Sequence, residues 1–253
     1  MLTLTSISKT FLGGFKPVLT NINLHLNPND FCMVIGSNGS GKSTLIKIIS
    51  GEYESDTGKI IIEDEDLTRQ DRSHAIASVT QDVNQGTIPE MTLLENMTLS
   101  LSRTKKTGFS FYHRRANQVT EEIKALGIGL EQYLYTPLSH LSGGQRQMVA
   151  TIMAVTSRPK LLLLDEHTSA LDPGTQRMVM AYTAKAIAEQ QLTSLMITHN
   201  LADAINYGNR LIMLHKGQIV FDVSGKEKSN LNMSELLALF HIYEDTVLLE
   251  DPL

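Results

Sequence analysis

The amino-acid sequence predicts an α/β fold with a buried, largely parallel sheet. Short apolar runs alternate along the chain with segments whose apolar residues recur at helical spacing, and such alternation is typical of α/β proteins. Several runs are apolar at every position, as strands buried on both faces are. The expected strands are 2–7, 31–36, 59–63, 161–165, 194–198, 210–214 and 217–221, and the expected helices include 42–50, 173–190 and 201–207.

Residues from about 84 to 157 differ from the rest of the chain. They show helical periodicity and no convincing strand, so we predict a helical subdomain inserted into the α/β body. The tail from about residue 226 is polar and then helical, with Asn232 and Glu235 spaced like a capping box. The sequence therefore predicts one domain over 1–253, with an α/β core from about 1–83 and 158–225.

Bulk composition limits the class of function. The chain has 253 residues, of which 42% are apolar, enough for a sizeable core. A net charge of −5 disfavours a diffuse nucleic-acid-binding surface. The single cysteine, Cys32, cannot form an internal disulfide, which fits an intracellular setting. We expect no signal peptide and no membrane-spanning run, so work at a membrane would need a partner that spans it.

A phosphate-binding loop is predicted at VIGSNGSGKST, residues 34–44. A buried strand ends at Ile35, the glycines permit a turn whose backbone N–H groups point inward, and the following helix adds its positive end. In this pattern Lys42 contacts the β- and γ-phosphates, and Ser43 binds Mg²⁺. The predicted ATP-binding residues of the loop are Gly36, Ser37, Asn38, Gly39, Ser40, Gly41, Lys42, Ser43 and Thr44.

Two acidic residues end the apolar run LLLLDE, residues 161–166. Asp165, at the end of the expected strand, can hold Mg²⁺ through water. Glu166 would face the γ-phosphate and polarise the attacking water, and general-base help of this kind typically gives ~10²–10⁴ in rate. Two acids after a strand are weak evidence alone, but they become strong evidence beside the phosphate loop.

A second helix start suited to anions lies at LSGGQRQM, residues 141–148. Ser142 can cap this helix, while Gly143 and Gly144 allow another group to approach the backbone. Glycine weakens a helical turn by roughly 1 kcal/mol unless it has a compensating role. Because the chain already has a phosphate loop, the sequence raises the question of whose phosphate this second site binds.

The order of these motifs resembles that of ABC-type ATPases over nearly the whole chain. The phosphate loop is followed by LSGGQ, LLLLDE, SALD (169–172) and a histidine after a later strand. The resemblance implies an ABC ATPase core with an antiparallel β portion at its N-terminus and an inserted helical subdomain. It also implies ATP and Mg²⁺ as ligands.

The resemblance implies roles for further residues. Gln81 is similar to the glutamine that touches Mg²⁺ or the attacking water, and His199 is similar to the switch histidine that contacts the γ-phosphate. Asp172, in SALD, resembles the acid of the D-loop. Phe11 resembles the aromatic residue that stacks on adenine, although Phe15 competes for this role.

In ABC ATPases two chains pair head to tail, and the LSGGQ motif of one chain closes over the nucleotide of the other. The resemblance thus implies a homodimer whose signature residues act on the partner's ATP: Leu141, Ser142, Gly143, Gly144 and Gln145. The alternative is that Ser142 only caps its own helix.

The resemblance further implies a bacterial transporter subunit at the cytoplasmic face of the inner membrane, bound to a separate permease. DEHTSALDP (165–173) resembles a subgroup paired with branched-chain-amino-acid-type permeases and a lipoprotein solute-binding component, which implies import of a small organic solute such as an amino acid. An exporter ATPase is one alternative. A non-transport ABC ATPase is another, but such proteins usually carry a long coiled coil or two cassettes.

Two features of the sequence have more than one interpretation. His167 follows Glu166 where many ABC ATPases have proline, and it either tunes Glu166 or is a tolerated loop substitution. The basic stretch 103–115 is a solvated face, a contact with anionic lipid headgroups, or a contact with the permease.

Overall fold

An antiparallel sheet forms the N-terminal part of the protein. The computed structural model describes residues 1–14, 16–82, 85–102 and 112–249. Four strands make this sheet: β1 Leu2–Phe11, β2 Lys16–Leu26, β4 Thr57–Ile62 and β5 Glu65–Asp66, in the order β2-β1-β4-β5. The expected antiparallel N-terminal portion is confirmed.

A second, six-stranded sheet lies at the centre of the fold. Its strands are β3 Phe31–Ile35, β6 Ile76–Val79, β7 Leu161–Asp165, β8 Thr193–Ile197, β9 Arg210–His215 and β10 Gln218–Ser224. They lie in the order β10-β9-β3-β8-β7-β6, and only β10 pairs antiparallel with its neighbour. Parallel strands end at a common edge, so the segments that follow β3, β8, β7 and β6 meet there, which is where ligands bind in open α/β sheets.

Eight α-helices surround the sheets in the described part of the chain. They are α1 Lys42–Ser50, α2 Leu93–Ser102, α3 Tyr112–Leu126, α4 Gly143–Thr156, α5 Pro173–Gln190, α6 Leu201–Asn206, α7 Gly225–Asn230 and α8 Met233–Leu249. Short 3₁₀ turns occupy Leu12–Gly14, Glu131–Tyr133 and Leu138–His140. None of the described helices is long and apolar enough to cross a membrane.

Apolar side chains cover both faces of the central sheet. On one face, α1 packs Leu45, Ile48 and Ile49 between this sheet and the N-terminal one. On the other face lie α5, α6 and α8, with Met180 and Leu236 fully or nearly buried. Every residue of β3 and β8 is buried, which explains why β3 is apolar throughout and why β8 is apolar after Thr193 and Ser194.

The helices α2, α3 and α4 form a separate apolar cluster around Met97, Ile123 and Val149. No strand occurs between β6 and β7 among the described residues. This agrees with the expected helical insertion, whose boundaries at about 84 and 157 stay predictions. Residues 103–111 of the basic stretch lie outside the described residues.

Several boundaries differ from the sequence-based expectation. The first strand continues from residue 7 to Phe11, and β2 and β6 were not predicted. The expected helix 201–207 ends at Asn206. The capping box of the tail is confirmed, since Asn232 Oδ1 accepts from the Glu235 N–H and Glu235 Oε2 accepts from the Asn232 N–H, both at 3.0 Å.

Candidate functional site

The phosphate loop joins the end of β3 to the start of α1, and two of its glycines have backbone angles that only glycine adopts without strain. Gly36 has φ 149° and Gly41 has φ 105°. A Cβ atom at Gly36 would lie 2.2 Å from the Leu214 carbonyl oxygen, and one at Gly41 would lie 2.7 Å from Leu19 Cδ2. Contacts with β9 at Leu214 and with β2 at Leu19 therefore leave no space for a side chain at these two positions.

Lys42, the first residue of α1, is buried and folds back over its own loop. Its Nζ donates to the carbonyl oxygens of Gly36 at 2.9 Å and Ser37 at 3.0 Å. Burial lowers the pKa of Lys42, while the charges of Glu166 and Asp165 act in the opposite direction. Anionic oxygens are stronger acceptors than peptide carbonyls, so the ammonium group is placed to exchange these bonds for bonds to phosphate.

Asp165, at the end of β7, holds a buried carboxylate oxygen without a partner. Its Oδ1 accepts no hydrogen bond from the described residues. Burial raises the pKa of Asp165, and the neighbouring Glu166 charge raises it further. A buried unpaired acceptor is costly, and a bound cation would remove that cost.

Glu166 and His199 meet across the sheet edge. Glu166 Oε1 lies 2.6 Å from His199 Nε2. The Glu166 backbone is in the left-handed region at φ 48°, and its N–H donates to the Ile197 carbonyl at 3.2 Å. Such a conformation costs about 1–3 kcal/mol in a residue other than glycine. Two neighbouring parallel strands thus hold an acid and an imidazole together over the phosphate loop.

Lys42, Glu166 and His199 line a cavity of about 520 Å³. Its lining residues are Phe11, Lys16, Val18, Asn38, Gly39, Gly41, Lys42, Ser43, Thr44, Glu166 and His199. The cavity thus brings together most of the predicted loop residues with the predicted base and switch histidine. Lys16 was not predicted, because no motif marks it in the sequence.

Phe11 lines this cavity, and its ring is in contact with Tyr53 and Lys9. The Tyr53 ring meets it edge to face, with centroids 5.6 Å apart and an interplanar angle of 73°. Lys9 Nζ lies 5.4 Å from the Phe11 ring centroid. Stacking of Phe11 on adenine stays a prediction, and the competing Phe15 lies outside the described residues.

The signature residues lie away from their own chain's cavity, since none of residues 141–145 lines it. Ser142 Oγ accepts from the Gln145 N–H at 3.3 Å, and Gln145 Oε1 accepts from the Ser142 N–H at 2.9 Å, which completes a capping box for α4. The motif therefore caps α4 within its own chain, which is the alternative role given above for Ser142.

The two signature glycines differ in their surroundings. A Cβ atom at Gly144 would lie 2.4 Å from Thr175 Cγ2, so packing of α4 against α5 explains this glycine within one chain. A Cβ atom at Gly143 would meet nothing within 4 Å. Nothing in the described part of the chain therefore requires glycine at Gly143.

Comparison with known proteins decides the family. The family model described as ABC transporter matches residues 19–169. The chain belongs to the ABC transporter ATP-binding family. Members of this family hydrolyse ATP, so the protein is an ATPase subunit of an ABC transporter.

Relatives and solved structures agree with this family over most of the chain. The tyrosine transport ATP-binding protein of Clostridioides difficile is 40% identical over 95% of this chain and 98% of its own length. The spermidine/putrescine import ATP-binding protein PotA of Pasteurella multocida is 32% identical, and the match spans 65% of that longer protein. A dimeric ATP-binding cassette in a post-hydrolysis state, bound to ADP and phosphate, is similar with a TM-score of 0.77 at 30% identity, covering 88% of this chain and 98% of that one.

Several residues predicted for the site of this ABC ATPase lie outside the cavity lining, namely Gln81, Asp172, Gly36, Ser37, Ser40 and Asp165, besides the signature residues. Gln81 is exposed, two residues beyond the end of β6. Asp172 caps α5, since its Oδ1 accepts from the N–H groups of Gly174 at 3.0 Å and Thr175 at 3.1 Å. Hydrogen bonding to Thr175 and Gly174 holds the pKa of Asp172 below its usual value.

His167 of this ABC ATPase is buried, with only 3% of its surface exposed. Its Nε2 lies 3.3 Å from Thr183 Oγ1 on α5, and the Thr183 hydroxyl donates to the Val179 carbonyl at 2.7 Å. Burial lowers the pKa of His167 to about 4. The ring is therefore neutral and packs against α5, and its hydrogen-bond partner is Thr183 rather than the neighbouring Glu166.

Acid should destabilise the protein partly through His167. Unfolding exposes the ring and returns its pKa from about 4 to 6.5, so the unfolded chain binds an extra proton between these values and stability falls as pH falls. One pKa unit corresponds to 1.36 kcal/mol, which gives a loss of about 2 kcal/mol at pH 5. In urea unfolding with chelator and no nucleotide, His167→Gln should lose correspondingly less stability between pH 7.5 and 5. The exposed His241→Gln variant is the control and should follow the wild type; equal slopes for all three proteins would contradict the assignment.

Proposed function

We propose that the protein is the ATP-hydrolysing subunit of a bacterial importer of a small organic solute, such as an amino acid. It works as a homodimer with a separate permease at the cytoplasmic face of the inner membrane. The observation that carries the hydrolytic part is the cavity where Lys42, Glu166 and His199 converge.

The phosphate loop and α1 bind the triphosphate in this proposal. Lys42 exchanges its two carbonyl partners for phosphate oxygens, and the N-terminus of α1 adds the free N–H groups and positive end that favour an anion. The Phe11 ring, held by Tyr53, supports the adenine. Binding thus uses groups that the fold already holds in place.

The residues around Asp165 fit Mg²⁺. The unpartnered Asp165 Oδ1, through a water molecule, and the Ser43 hydroxyl would hold the ion, and Gln81 is the third predicted ligand. No group of three or more His, Cys, Asp or Glu side chains suited to a metal occurs in the described ranges. Mg²⁺ does not require such a group, because it is usually held by one or two carboxylates together with phosphates and water. When bound, Mg²⁺ neutralises charge on the β- and γ-phosphates.

Glu166 is the proposed general base. Its carboxylate takes a proton from the water that attacks the γ-phosphate. His199, whose Nε2 lies 2.6 Å from Glu166 Oε1, fixes the direction of this carboxylate and contacts the γ-phosphate. Both side chains line the cavity beside Lys42. The geometry therefore supports hydrolysis of the terminal phosphate rather than binding alone.

A second copy of the chain completes the site in this proposal. The signature helix start lies outside its own cavity, and Gly143 has no neighbour in its own chain that requires glycine. Residues 141–145 therefore close over the partner's nucleotide, with Asp172 at the same interface. The dimeric cassette bound to ADP and phosphate, similar at a TM-score of 0.77, supports this arrangement.

A groove between the sheet and the helical part is the proposed permease-binding surface. It measures about 610 Å³ and lies between β6 and the helices α2 and α4. Two large apolar residues at the groove, Ile88 and Leu99, are 43% and 45% exposed. Exposed apolar surface at a groove is typical of a protein-binding site.

Import of a small organic solute rests on the relatives. Their names describe tyrosine transport and spermidine/putrescine import. The proposal includes the subgroup suggested by DEHTSALDP, an extracytoplasmic solute-binding protein as a further partner, and no nucleic acid. An exporter is the alternative within the family, and a non-transport ABC ATPase is the alternative outside transport.

Crosslinking at the groove tests the transport proposal. A photo-crosslinking residue at Leu99, introduced in the native host, should capture a protein with several membrane spans, because this side chain would lie in the interface. The same residue at Tyr135, which is 78% exposed and lies outside the groove lining, is the control and should capture that protein far less. Crosslinks only to ribosomal or DNA-bound proteins would reject the transporter function.

A further inference from the structure

Lys228, on the short helix α7, is a buried cation that the catalytic scheme does not use. Only 4% of its surface is exposed. Lysine is almost never this buried unless it is paired, and no carboxylate lies within ion-pair distance among the described residues. Burial lowers the pKa of Lys228. Some other interaction must therefore hold the ammonium group in place.

That interaction is with the carbonyl end of α6. Lys228 Nζ donates to the carbonyl oxygens of Ile205 and of Tyr207, the latter at 2.9 Å. The last carbonyls of a helix have no partner within the helix, and a lysine can supply their hydrogen bonds. α7 thus fixes the end of α6.

The opposite end of α6 carries the switch histidine. Asn200 caps α6, since its Oδ1 accepts from the N–H groups of Ala202 at 2.9 Å and Asp203 at 3.2 Å, and His199 is the residue before this cap. A helix of six residues is only about 9 Å long. A shift or tilt at the carbonyl end of α6 is therefore carried directly to His199.

The other contacts of α6 are apolar packing and one side-chain hydrogen bond. Ile205 and Leu201 pack in the same apolar cluster as Leu236 and Leu239 of α8, which follows α7 in the chain. On its other side, Gln176 of α5 donates to Asp203 Oδ2 at 3.3 Å. Lys228 thus binds the carbonyl end of α6 through hydrogen bonds. The C-terminal segment supplies these bonds through α7 and apolar packing against α6 through α8.

We propose that Lys228 is a positioning residue for ATP hydrolysis, which holds α6 so that His199 stays against Glu166. This inference rests on the role of His199 in the proposed function. It assigns the C-terminal helices α7 and α8 a part in hydrolysis, through the placement of the histidine that α6 carries.

Loss of the Lys228 ammonium group should slow hydrolysis without weakening ATP binding. Lys228→Met keeps the aliphatic stem but removes the donors, and a misplacement of catalytic groups by about 1 Å can cost up to ~10²-fold in rate. We expect kcat to fall about tenfold, with KM for ATP changed less than about twofold, because the phosphate loop is untouched. Lys226→Met, on the exposed side of the same helix, is the matched control and should keep the full rate. Lys228→Arg, which restores donors, should recover part of the loss.

A double-mutant cycle separates positioning from general destabilisation. In a His199→Ala background, Lys228→Met should cause no further loss of kcat, because both changes remove the same contribution. An additional tenfold loss in that background, or an unchanged kcat in Lys228→Met alone, overturns the inference. Lys228→Gln is measured in parallel in case the apolar replacement unfolds the chain, with the same two outcomes. If His199→Ala keeps the full rate, the role of His199 itself is wrong and the inference falls with it.

Discussion

Replacing Glu166 by glutamine should lower the rate of ATP hydrolysis by ~10²-fold or more while ATP still binds. Glutamine keeps the size of the side chain and its place beside His199, 2.6 Å away in the wild type, but an amide cannot take a proton from water. The phosphate loop is unchanged, so ATP affinity should stay within about threefold of the wild-type value. Steady-state hydrolysis and equilibrium binding of labelled ATP measure the two quantities.

The control for this variant is Glu131→Gln, which changes an exposed acid on the helical part by the same chemistry. It should hydrolyse ATP at the wild-type rate. If Glu166→Gln kept more than about a tenth of that rate, Glu166 would not be the general base, because the expected loss is at least ~10²-fold.

Arginine at Gly143 should remove hydrolysis to a similar degree, although this residue lies outside the cavity. A preorganised anion-binding group typically contributes ~10²–10³ to turnover, and a bulky side chain here would block the signature helix start from its phosphate. A Cβ at Gly143 meets nothing in its own chain, so the substitution should leave the thermal unfolding temperature unchanged or slightly raised. A wild-type rate in a correctly folded Gly143→Arg variant would show that the signature does not approach any nucleotide.

Much of the candidate site could be predicted because its residues lie directly at strand ends. Asp165 and Glu166 end an apolar run, and the phosphate loop follows another, so their meeting at one sheet edge needs only the parallel order of the strands. The contact between Glu166 and His199 was not predicted, because it depends on β7 and β8 being neighbours.

Other features were hidden because local sequence does not determine them. β2 has buried Leu19, Ile22 and Leu24, but Asn21, at φ 52°, lies where the pairing register with β1 shifts, and asparagine is disfavoured in strands. The direction of the His167 ring depends on α5. Lys228 lies in a polar segment, and nothing in that segment distinguishes it from the exposed Lys226.

The central claim is that each ATP is held by the phosphate loop of one chain and the signature of another, and a mixing experiment tests it most directly. Lys42→Ala destroys the loop, Gly143→Arg blocks the signature, and both are made in a Glu166→Gln background so that bound ATP is not turned over. Each variant alone damages both sites of its homodimer and should trap no nucleotide. In a mixed dimer one site carries both lesions, whereas the other joins an intact loop to an intact signature.

The mixture should therefore trap up to one ATP per mixed dimer. Pull-down with two affinity tags verifies that mixed dimers form, and a mixture of Lys42→Ala with the otherwise unmodified Glu166→Gln chain is the positive control. Trapping in the mixture, with none in either variant alone, is the result that a shared site predicts. Mixed dimers that trap nothing, while the control mixture does trap, would show that Gly143 and its helix serve their own chain, and would contradict the dimeric mechanism.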